Sequence, residues 1–269
     1  MNKKLLLGIG GIIVVVGGIF ALTRLKRPTS QVTTTGGDDE VELPINVIPV
    51  AERPYITLTP DKTGRSLDIA VASAPQEGDM EYELIYNASG KQEGALGTIM
   101  LAAAKQSIVK SILLGSRSAG GATTYHEGVT GGSLTVTYGE TRLKESWNFL
   151  SFDSKDPSIS SVDGKMSLTF TAKALKDGER LVTMKSFGLP AKLPAEGELV
   201  AGPYSYGAAS PVKGAVQLTL KLGSGDHAGA VLYEWTSGAW KKVTAKLDGD
   251  IMKATVTGAT FVVVAPKAE

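Results

Sequence analysis

The strongest constraint on this chain is an uninterrupted apolar segment near its N-terminus. Leu5 to Leu22 comprises eighteen residues without a charged or strongly polar side chain. As an α-helix with a rise of about 1.5 Å per residue, it would be about 27 Å long, close to the roughly 30 Å hydrocarbon core of a bilayer. We therefore predict a single membrane-spanning helix over residues 5–22, within a membrane anchor of residues 1–27.

The flanks of this segment bear on its retention and orientation. A cleaved signal peptide has a shorter apolar region and a small-x-small cleavage site, whereas this run meets basic residues at 24–27, as a stop-transfer segment does. Lysines at positions 3 and 4 leave the positive-inside rule undecided. The downstream spacer and β-rich domains favour an extracytoplasmic location for the C-terminal part. A cytosol-facing membrane scaffold is the alternative.

Small residues recur on one side of the predicted membrane helix. Gly10 and Gly17 are seven residues apart, and Gly17 with Ala21 forms a small-xxx-small pair. Such a stripe allows a second helix to approach closely, so it predicts a homo-oligomer formed through the membrane helix. The alternative is that glycine is simply common in membrane helices.

Charge and cysteine content limit the chemistry of the rest of the chain. Five of the 28 basic residues flank the apolar segment, which leaves 23 basic against 27 acidic residues in the remainder. This mildly acidic balance lacks the basic excess of proteins that bind phosphate backbones, so we expect no nucleic-acid partner. The absence of cysteine excludes disulfides, thiolate nucleophiles and thiolate metal ligands.

Composition changes again after the anchor. Residues 28–47 are rich in Thr, Gly and acidic residues and poor in core-forming side chains, which predicts a flexible linker. Beyond it, frequent glycine with alternating Val, Thr, Leu and Tyr is typical of strands and turns. We predict an all-β fold: two tandem β-sandwich domains, at residues 48–152 and 153–269, behind the single N-terminal transmembrane helix.

The first predicted domain opens with a hairpin and continues in short alternating strands. Residues 55–59 and 66–72 are predicted to be strands joined by a turn at residues 60–64, and 81–86 is predicted to be a strand with three large apolar or aromatic side chains on one face. Mostly strand is also expected for residues 97–114. The spacing resembles immunoglobulin-like or fibronectin type III-like modules. The usual core tryptophan is missing, since no tryptophan precedes Trp147.

A glycine-rich stretch at residues 115–132 interrupts these strands. It contains six glycines in eighteen residues, together with Arg117, Tyr125, His126 and Glu127. Loops of this length are often functional, so one hypothesis is a recognition loop or weak metal site formed by these four side chains. The alternative is a flexible crossover with His126 exposed on the surface.

The second predicted domain contains the most regular alternation of the chain. Apolar side chains at positions 216, 218, 220 and 222 alternate with other residues, and further strands are predicted at 181–187 and 199–206, with Pro203 at a sheet edge.

In the hairpin of residues 231–247, a two-residue turn would pair Trp235 with Trp240 and mismatch the apolar faces. We therefore predict a glycine bulge at Gly238, with Trp240 on the face of Leu232. Trp240 would then cover the sandwich or stack on a sugar or partner.

Residues 157–266 resemble the β-sandwich module of ankyrins and netrin receptors, which also occurs in bacterial surface proteins. The resemblance rests on residues 211–220, 232–240 and the closing run at 260–264. Self-cleaving relatives of that module carry His-Phe-Ser in the last strand. Thr260, Phe261 and Val262 stand at the matching positions, so the resemblance implies the fold without autoproteolysis.

The sequence contains no arrangement typical of catalysis. No Gly-x-Ser-x-Gly turn, HExxH helix or phosphate-binding glycine loop is present outside the apolar segment. Asp248 and Asp250, and likewise Asp153 and Asp156, could offer oxygens to calcium, but they first predict a hairpin turn and a domain junction. We expect no enzyme activity, no cofactor and no metal.

These observations predict a non-enzymatic, membrane-anchored protein of the cell surface or envelope. It would act as a structural or adhesive interaction module whose partners are the membrane and other envelope proteins or surface glycans. The alternatives are a carbohydrate-binding or carbohydrate-acting ectodomain, using Trp240 or residues 115–132, and the cytosol-facing scaffold.

Overall fold

A computed structural model describes residues 43–74, 78–101 and 107–267. They belong to one compact unit that spans Glu42–Glu269. The predicted membrane helix, with Gly10, Gly17 and Ala21, and most of the predicted linker lie outside the described residues. No helix among the described residues is long and apolar enough to cross a membrane. Apart from a single 3-10 turn at Val50–Glu52, their regular structure is β, which confirms the predicted all-β class.

The first part of the unit contains nine strands. Most are 6 to 11 residues long, but β6 and β7 are short. They are β1 (Tyr55–Pro60), β2 (Ser66–Ala72), β3 (Gly78–Ala88), β4 (Lys91–Leu101), β5 (Ile108–Leu113), β6 (Gly115–Arg117), β7 (Thr123–Tyr125), β8 (Val129–Tyr138) and β9 (Thr141–Ser151).

The second part contains ten further strands. They are β10 (Ser158–Ser160), β11 (Met166–Thr169), β12 (Arg180–Lys185), β13 (Glu198–Ala208), β14 (Val216–Lys221), β15 (Val231–Thr236), β16 (Ala239–Val243), β17 (Ala245–Asp248), β18 (Ile251–Val256) and β19 (Thr260–Ala265).

One long sheet runs through both parts. Its nine strands follow the order β16-β15-β19-β13-β12-β9-β8-β3-β4, and they are antiparallel. A three-stranded sheet, β1-β2-β5, and a five-stranded sheet, β10-β11-β14-β18-β17, complete the main architecture. Strands from either side of the predicted boundary at residues 152–153 therefore pair directly, because β9 is bonded to β12.

The two smaller sheets cover opposite faces of the long sheet. Neighbouring residues of a strand point to opposite faces. On β12, Leu181 belongs to the hydrophobic cluster beneath the five-stranded sheet, whereas Val182 belongs to the cluster beneath the three-stranded sheet. On β9, Phe149 packs in the latter cluster and Leu150 against the former. The strands β9 and β12 consequently contribute to both hydrophobic cores.

Several strand predictions are confirmed. The predicted strand over residues 66–72 coincides with β2, and the side chains at 82, 84 and 86 are all buried, as expected for one core-facing side. The alternation at 216–222 is also confirmed, since its four apolar side chains are at most 2% exposed. These positions obey period two because one face of each strand is removed from water.

The predicted edge position of Pro203 is wrong. It lies in β13, which is an interior strand between β12 and β19. The proline is accommodated because the register of β13 against β19 shifts between Ala201 and Tyr204. Its carbonyl still accepts a hydrogen bond from Ser186 N–H at 3.0 Å. An irregularity in the ladder thus replaces the sheet edge that the sequence indicated.

The predicted bulge in the β15–β16 hairpin is also wrong. Trp235 pairs with Trp240 around a two-residue turn, Ser237-Gly238, in which both residues have positive φ. The apolar faces need not match along the whole predicted strand, because the chain leaves the long sheet after Val243 and continues as β17 in the five-stranded sheet. Trp240 therefore lies on the face of Tyr233, opposite Leu232.

Candidate functional site

A cleft of about 340 Å³ brings together three of the four predicted residues of the 115–132 stretch. It is bounded by the turn at residues 63–65, the segment at 125–129, and the side chains of Phe149 and Arg180. We call this feature the arginine cleft, because Arg65 and Arg180 both line it. Tyr125, His126 and Glu127 lie in it, whereas Arg117 does not line it.

The 115–132 stretch is not a single loop. Within it β6 and β7 form a hairpin, and β8 already begins at Val129. Some of its glycines serve close strand packing: a Cβ at Gly115 would overlap the carbonyl of Thr124, and one at Gly132 would overlap the carbonyl of Ile85. Glycine is typical of loops, so the sequence did not predict this role in close strand packing. Arg117 is an exposed residue of the hairpin.

The turn that presents Arg65 is organised by one carboxylate. Asp61 accepts hydrogen bonds from the backbone N–H groups of Thr63, Arg65 and Ser66 at 3.1, 2.8 and 2.9 Å. Burial acts to raise the pKa of Asp61, but the hydrogen bonds from the Thr63 hydroxyl and these N–H groups outweigh it, and the net pKa is lowered. The sequence Asp-Lys-Thr-Gly-Arg thus forms a turn held from within by its first residue.

Backbone hydrogen bonds fix the two sides of the cleft to each other. Leu114 N–H donates to the Arg65 carbonyl at 2.8 Å, and His126 N–H donates to the Leu114 carbonyl at 2.9 Å. Ser89 Oγ donates to the Glu127 carbonyl at 2.9 Å. Because Leu114 is fully buried, both segments are tied to the core.

His126 is held by the core and is only 19% exposed at its side chain, so the predicted surface exposure is wrong. Its Nδ1 lies 3.0 Å from the Tyr86 hydroxyl. Burial raises the pKa of Tyr86, Glu93 adds to this, and a hydrogen bond from the Gly115 backbone opposes it. The other ring nitrogen of His126, Nε2, lies 3.9 Å from the Glu93 carboxylate.

The two arginines are placed over aromatic rings. The Arg65 guanidinium carbon lies 4.3 Å from the centre of the Tyr125 ring, and that of Arg180 lies 5.8 Å from the centre of the Phe149 ring. Both distances fall within the range of cation–π contacts. Among the described residues, neither guanidinium has a carboxylate within 4.0 Å. Their in-plane N–H groups therefore remain available to a ligand.

A second cavity, of about 320 Å³, lies against β9, the strand that also contributes Phe149 to the arginine cleft. It is lined by residues 144–146, 161–163 and Lys185, and we call it the Asp163 cavity. Asp163 accepts hydrogen bonds from Ser161 Oγ at 2.6 Å and the Tyr204 hydroxyl at 2.7 Å. Burial acts to raise the pKa of Asp163, but these bonds, one from Lys165 N–H and the charge of Lys185 lower it overall.

The other carboxylate of the Asp163 cavity is Glu145. Burial raises the pKa of Glu145, opposed by the charges of Lys185 and Arg53, and Arg53 lies 3.7 Å from its carboxylate. Burial and the Asp163 carboxylate likewise raise the pKa of Tyr204. Both acids therefore have partners supplied by the fold.

Trp240 lies away from both cavities. Its ring meets that of Trp235 edge to face, with the ring centres 5.3 Å apart. Its Nε1–H donates to the carbonyl of Ala191 at 3.2 Å. The indole thus bonds to a segment that, through Leu189 and residues 191–197, lines a larger groove of about 970 Å³ together with residues 51–53, Ser73 and Lys267.

The two pairs of aspartates considered as possible calcium ligands lie in turns of the fold. Asp248 pairs with Ile251 across Gly249, whose φ of 58° closes the β17–β18 hairpin. Asp153 and Asp156 form an isolated bridge. Within residues 43–74, 78–101 and 107–267, no group of three or more His, Asp or Glu side chains is arranged to hold a metal ion.

Sequence reasoning missed Asp61, Arg65 and Arg180 as site residues. The turn at residues 60–64 was recognisable, but nothing local connects Arg65 with Tyr125, sixty positions later, or with Arg180 on another strand. No protein-family model, curated protein or solved structure matches the chain. What the arginine cleft can do follows from its geometry: it offers two cationic donors, a carboxylate and an imidazole to a small polar ligand.

Proposed function

We propose that this protein is a non-enzymatic interaction module of the cell envelope or surface. A single helix over residues 5–22 would anchor it in the membrane, and the β unit would lie outside the cytoplasm. The unit would comprise two β-sandwiches, related in pattern to immunoglobulin-like or fibronectin type III-like domains and to the ankyrin and netrin-receptor module.

The arginine cleft is the observation that carries this proposal. The fold positions the two guanidinium groups of the cleft without pairing them with a carboxylate among the described residues, and a recognition site requires such available groups. The hydroxyl bonded to the His126 imidazole belongs to buried Tyr86, whose pKa is raised rather than lowered, so the cleft supports binding better than nucleophilic catalysis. The apolar segment at residues 5–22 supports the membrane location.

Single-cysteine labelling tests the topology, because the natural chain contains no cysteine. Ala119→Cys places a thiol at an exposed position of the β6–β7 turn, and Asn2→Cys places one on the other side of the predicted helix. We expect a membrane-impermeant maleimide to label Ala119→Cys in intact cells, or once an outer barrier is opened, and to label Asn2→Cys only after lysis. The reverse pattern would establish the cytosol-facing scaffold instead.

The carbohydrate-binding alternative is favoured by the polar lining of the arginine cleft rather than by Trp240. The Trp240 indole N–H is already bonded within the fold, and its ring packs on Trp235. Cell-surface binding assays with glycan-coated beads distinguish the two routes: loss of binding on Arg65→Ala supports the cleft, and loss on Trp240→Phe supports the indole.

A further inference from the structure

We propose that the ligand of the arginine cleft is a sugar that carries a carboxylate group, such as a uronic acid. This inference rests on the proposed function, since it names the ligand class of that interaction module. The volume of the arginine cleft, about 340 Å³, is at the lower end of the range for small-molecule sites, which fits a ligand of monosaccharide to disaccharide size.

Two guanidinium groups define the anionic part of the ligand. Arg65 reaches the cleft from the turn before β2 and Arg180 from β12, and each guanidinium lies over an aromatic ring. The N–H groups of a guanidinium point outward in its own plane, and this fork matches the two oxygens of a carboxylate. Among the described residues no acidic side chain forms an ion pair with either group.

The fold holds the backbone of Arg65 and packs the Arg180 side chain before a ligand arrives. Asp61 fixes the turn before Arg65, and the backbone of Arg65 is bonded to buried Leu114. Arg180 lies across Gly64, where an added Cβ would come within 3.0 Å of its Nε. Preorganised donors reduce the conformational entropy lost on binding, so even a small ligand can be recognised.

The remaining polar groups favour a sugar over an acidic peptide. Glu127 and His126 line the same cleft as the arginines. A carboxylate such as Glu127 accepts hydrogen bonds from sugar hydroxyls but repels a second negative charge. A ligand with one carboxylate and several hydroxyls satisfies all these groups, whereas a run of acidic side chains would not.

The test uses the full chain in detergent micelles and measures binding by isothermal titration calorimetry. Galacturonate is the probe, and galactose is its matched neutral control. We expect galacturonate to bind and galactose to bind at least tenfold more weakly. Arg65→Ala and Arg180→Ala should each weaken galacturonate binding roughly tenfold, since each removes a charge-assisted hydrogen bond. Arg117→Ala removes an exposed arginine outside the cleft and should leave the affinity unchanged.

Glu127→Gln separates a sugar from a simple anion. The substitution should lower the affinity for galacturonate relative to acetate, because one hydroxyl acceptor becomes a donor, whereas the loss of the negative charge favours both anions alike. Equal affinity for acetate, inorganic phosphate and galacturonate, or tighter binding of a poly-glutamate peptide, would overturn the proposal. So would equal effects of Arg65→Ala and Arg117→Ala. Topology is read separately by cysteine labelling, so failure here leaves the proposed membrane module intact, and the reverse also holds.

Discussion

The arginine cleft and the Asp163 cavity lie against the same strand but use charge in opposite ways. Phe149 and Glu145, four residues apart on one face of β9, line one cavity each. In the Asp163 cavity the carboxylates are bonded by Ser161, Tyr204 and the Arg53 guanidinium. In the arginine cleft the guanidinium groups rest on rings and keep their hydrogen-bonding edges free. The hydrogen bonds to the Asp163 carboxylate stabilise the fold, whereas the guanidinium groups without an ion-pair partner among the described residues are available for recognition.

The sharpest test of this contrast is Asp163→Ala. It leaves the buried Tyr204 hydroxyl without its acceptor and removes the short hydrogen bond from Ser161 Oγ, so we expect the free energy of unfolding to fall by about 3 kcal/mol. Urea denaturation followed by circular dichroism measures the change. Asp250→Ala, at an exposed hairpin turn, is the matched control and should cost less than about 0.5 kcal/mol. Equal effects of the two would remove the structural role assigned to Asp163.

The pH dependence of stability should reflect the two carboxylates of the Asp163 cavity with opposite signs. The pKa of Glu145 is raised above its ordinary value of 4.5, so stability is gained as pH falls through this raised pKa. The pKa of Asp163 is lowered below its ordinary value of 3.8, so stability is lost as pH falls below 3.8 and through the lowered pKa. Urea titrations across this range should show the mildly acidic gain vanish in Glu145→Gln and the acid loss shrink in Asp163→Asn. An unchanged profile in both variants would contradict the assignment.

Asp61→Ala should moderately reduce both the free energy of unfolding and the affinity for the ligand of the arginine cleft. Asp61 is a fold-internal acceptor like Asp163, but the turn it organises carries a cleft residue, Arg65. We expect a loss of about 1 to 2 kcal/mol in unfolding free energy, together with weaker galacturonate binding. Calorimetric binding to the folded variant at low temperature separates the two effects. Unchanged binding in a destabilised variant would show that the turn is structural only.

The smallest stability effects should come from the cleft arginines themselves. Arg65→Ala and Arg180→Ala each remove a cation–π contact, so we expect losses of about 1 kcal/mol or less. Chemical denaturation of both variants measures this. A loss comparable to that of Asp163→Ala would show that the arginines are structural, and the contrast between the two cavities would disappear.

Much of the fold was predictable because a strand with one buried face shows an alternation of apolar and polar residues in the sequence. The alternation at residues 66–72 and 216–222 located β2 and β14. Local patterns failed where a neighbouring strand decided the outcome. Pro203 is tolerated in an interior strand because the ladder of β13 shifts its register there. Gly115 and Gly132 looked like loop residues because their close packing partners lie elsewhere in the chain.

Half of the arginine cleft was also indicated by the sequence. A histidine between Tyr125 and Glu127 in a glycine-rich stretch marked one wall. The other wall could not be inferred, because Arg65 and Arg180 become its neighbours only through the hydrogen bond of Leu114 and the pairing of β9 with β12. Sites built from distant segments carry no spacing that a linear pattern can reveal.

The sequence by itself determined the apolar segment at residues 5–22, the all-β character of the part that the structure describes and the core-facing side of its clearest strands. It did so because hydropathy and period two are properties of adjacent residues. Only the tertiary structure decided which strands pair, that β9 and β12 contribute to two cores, and that two arginines line one cleft with His126. Those outcomes depend on long-range packing, in which each contact is set by residues far apart in the chain.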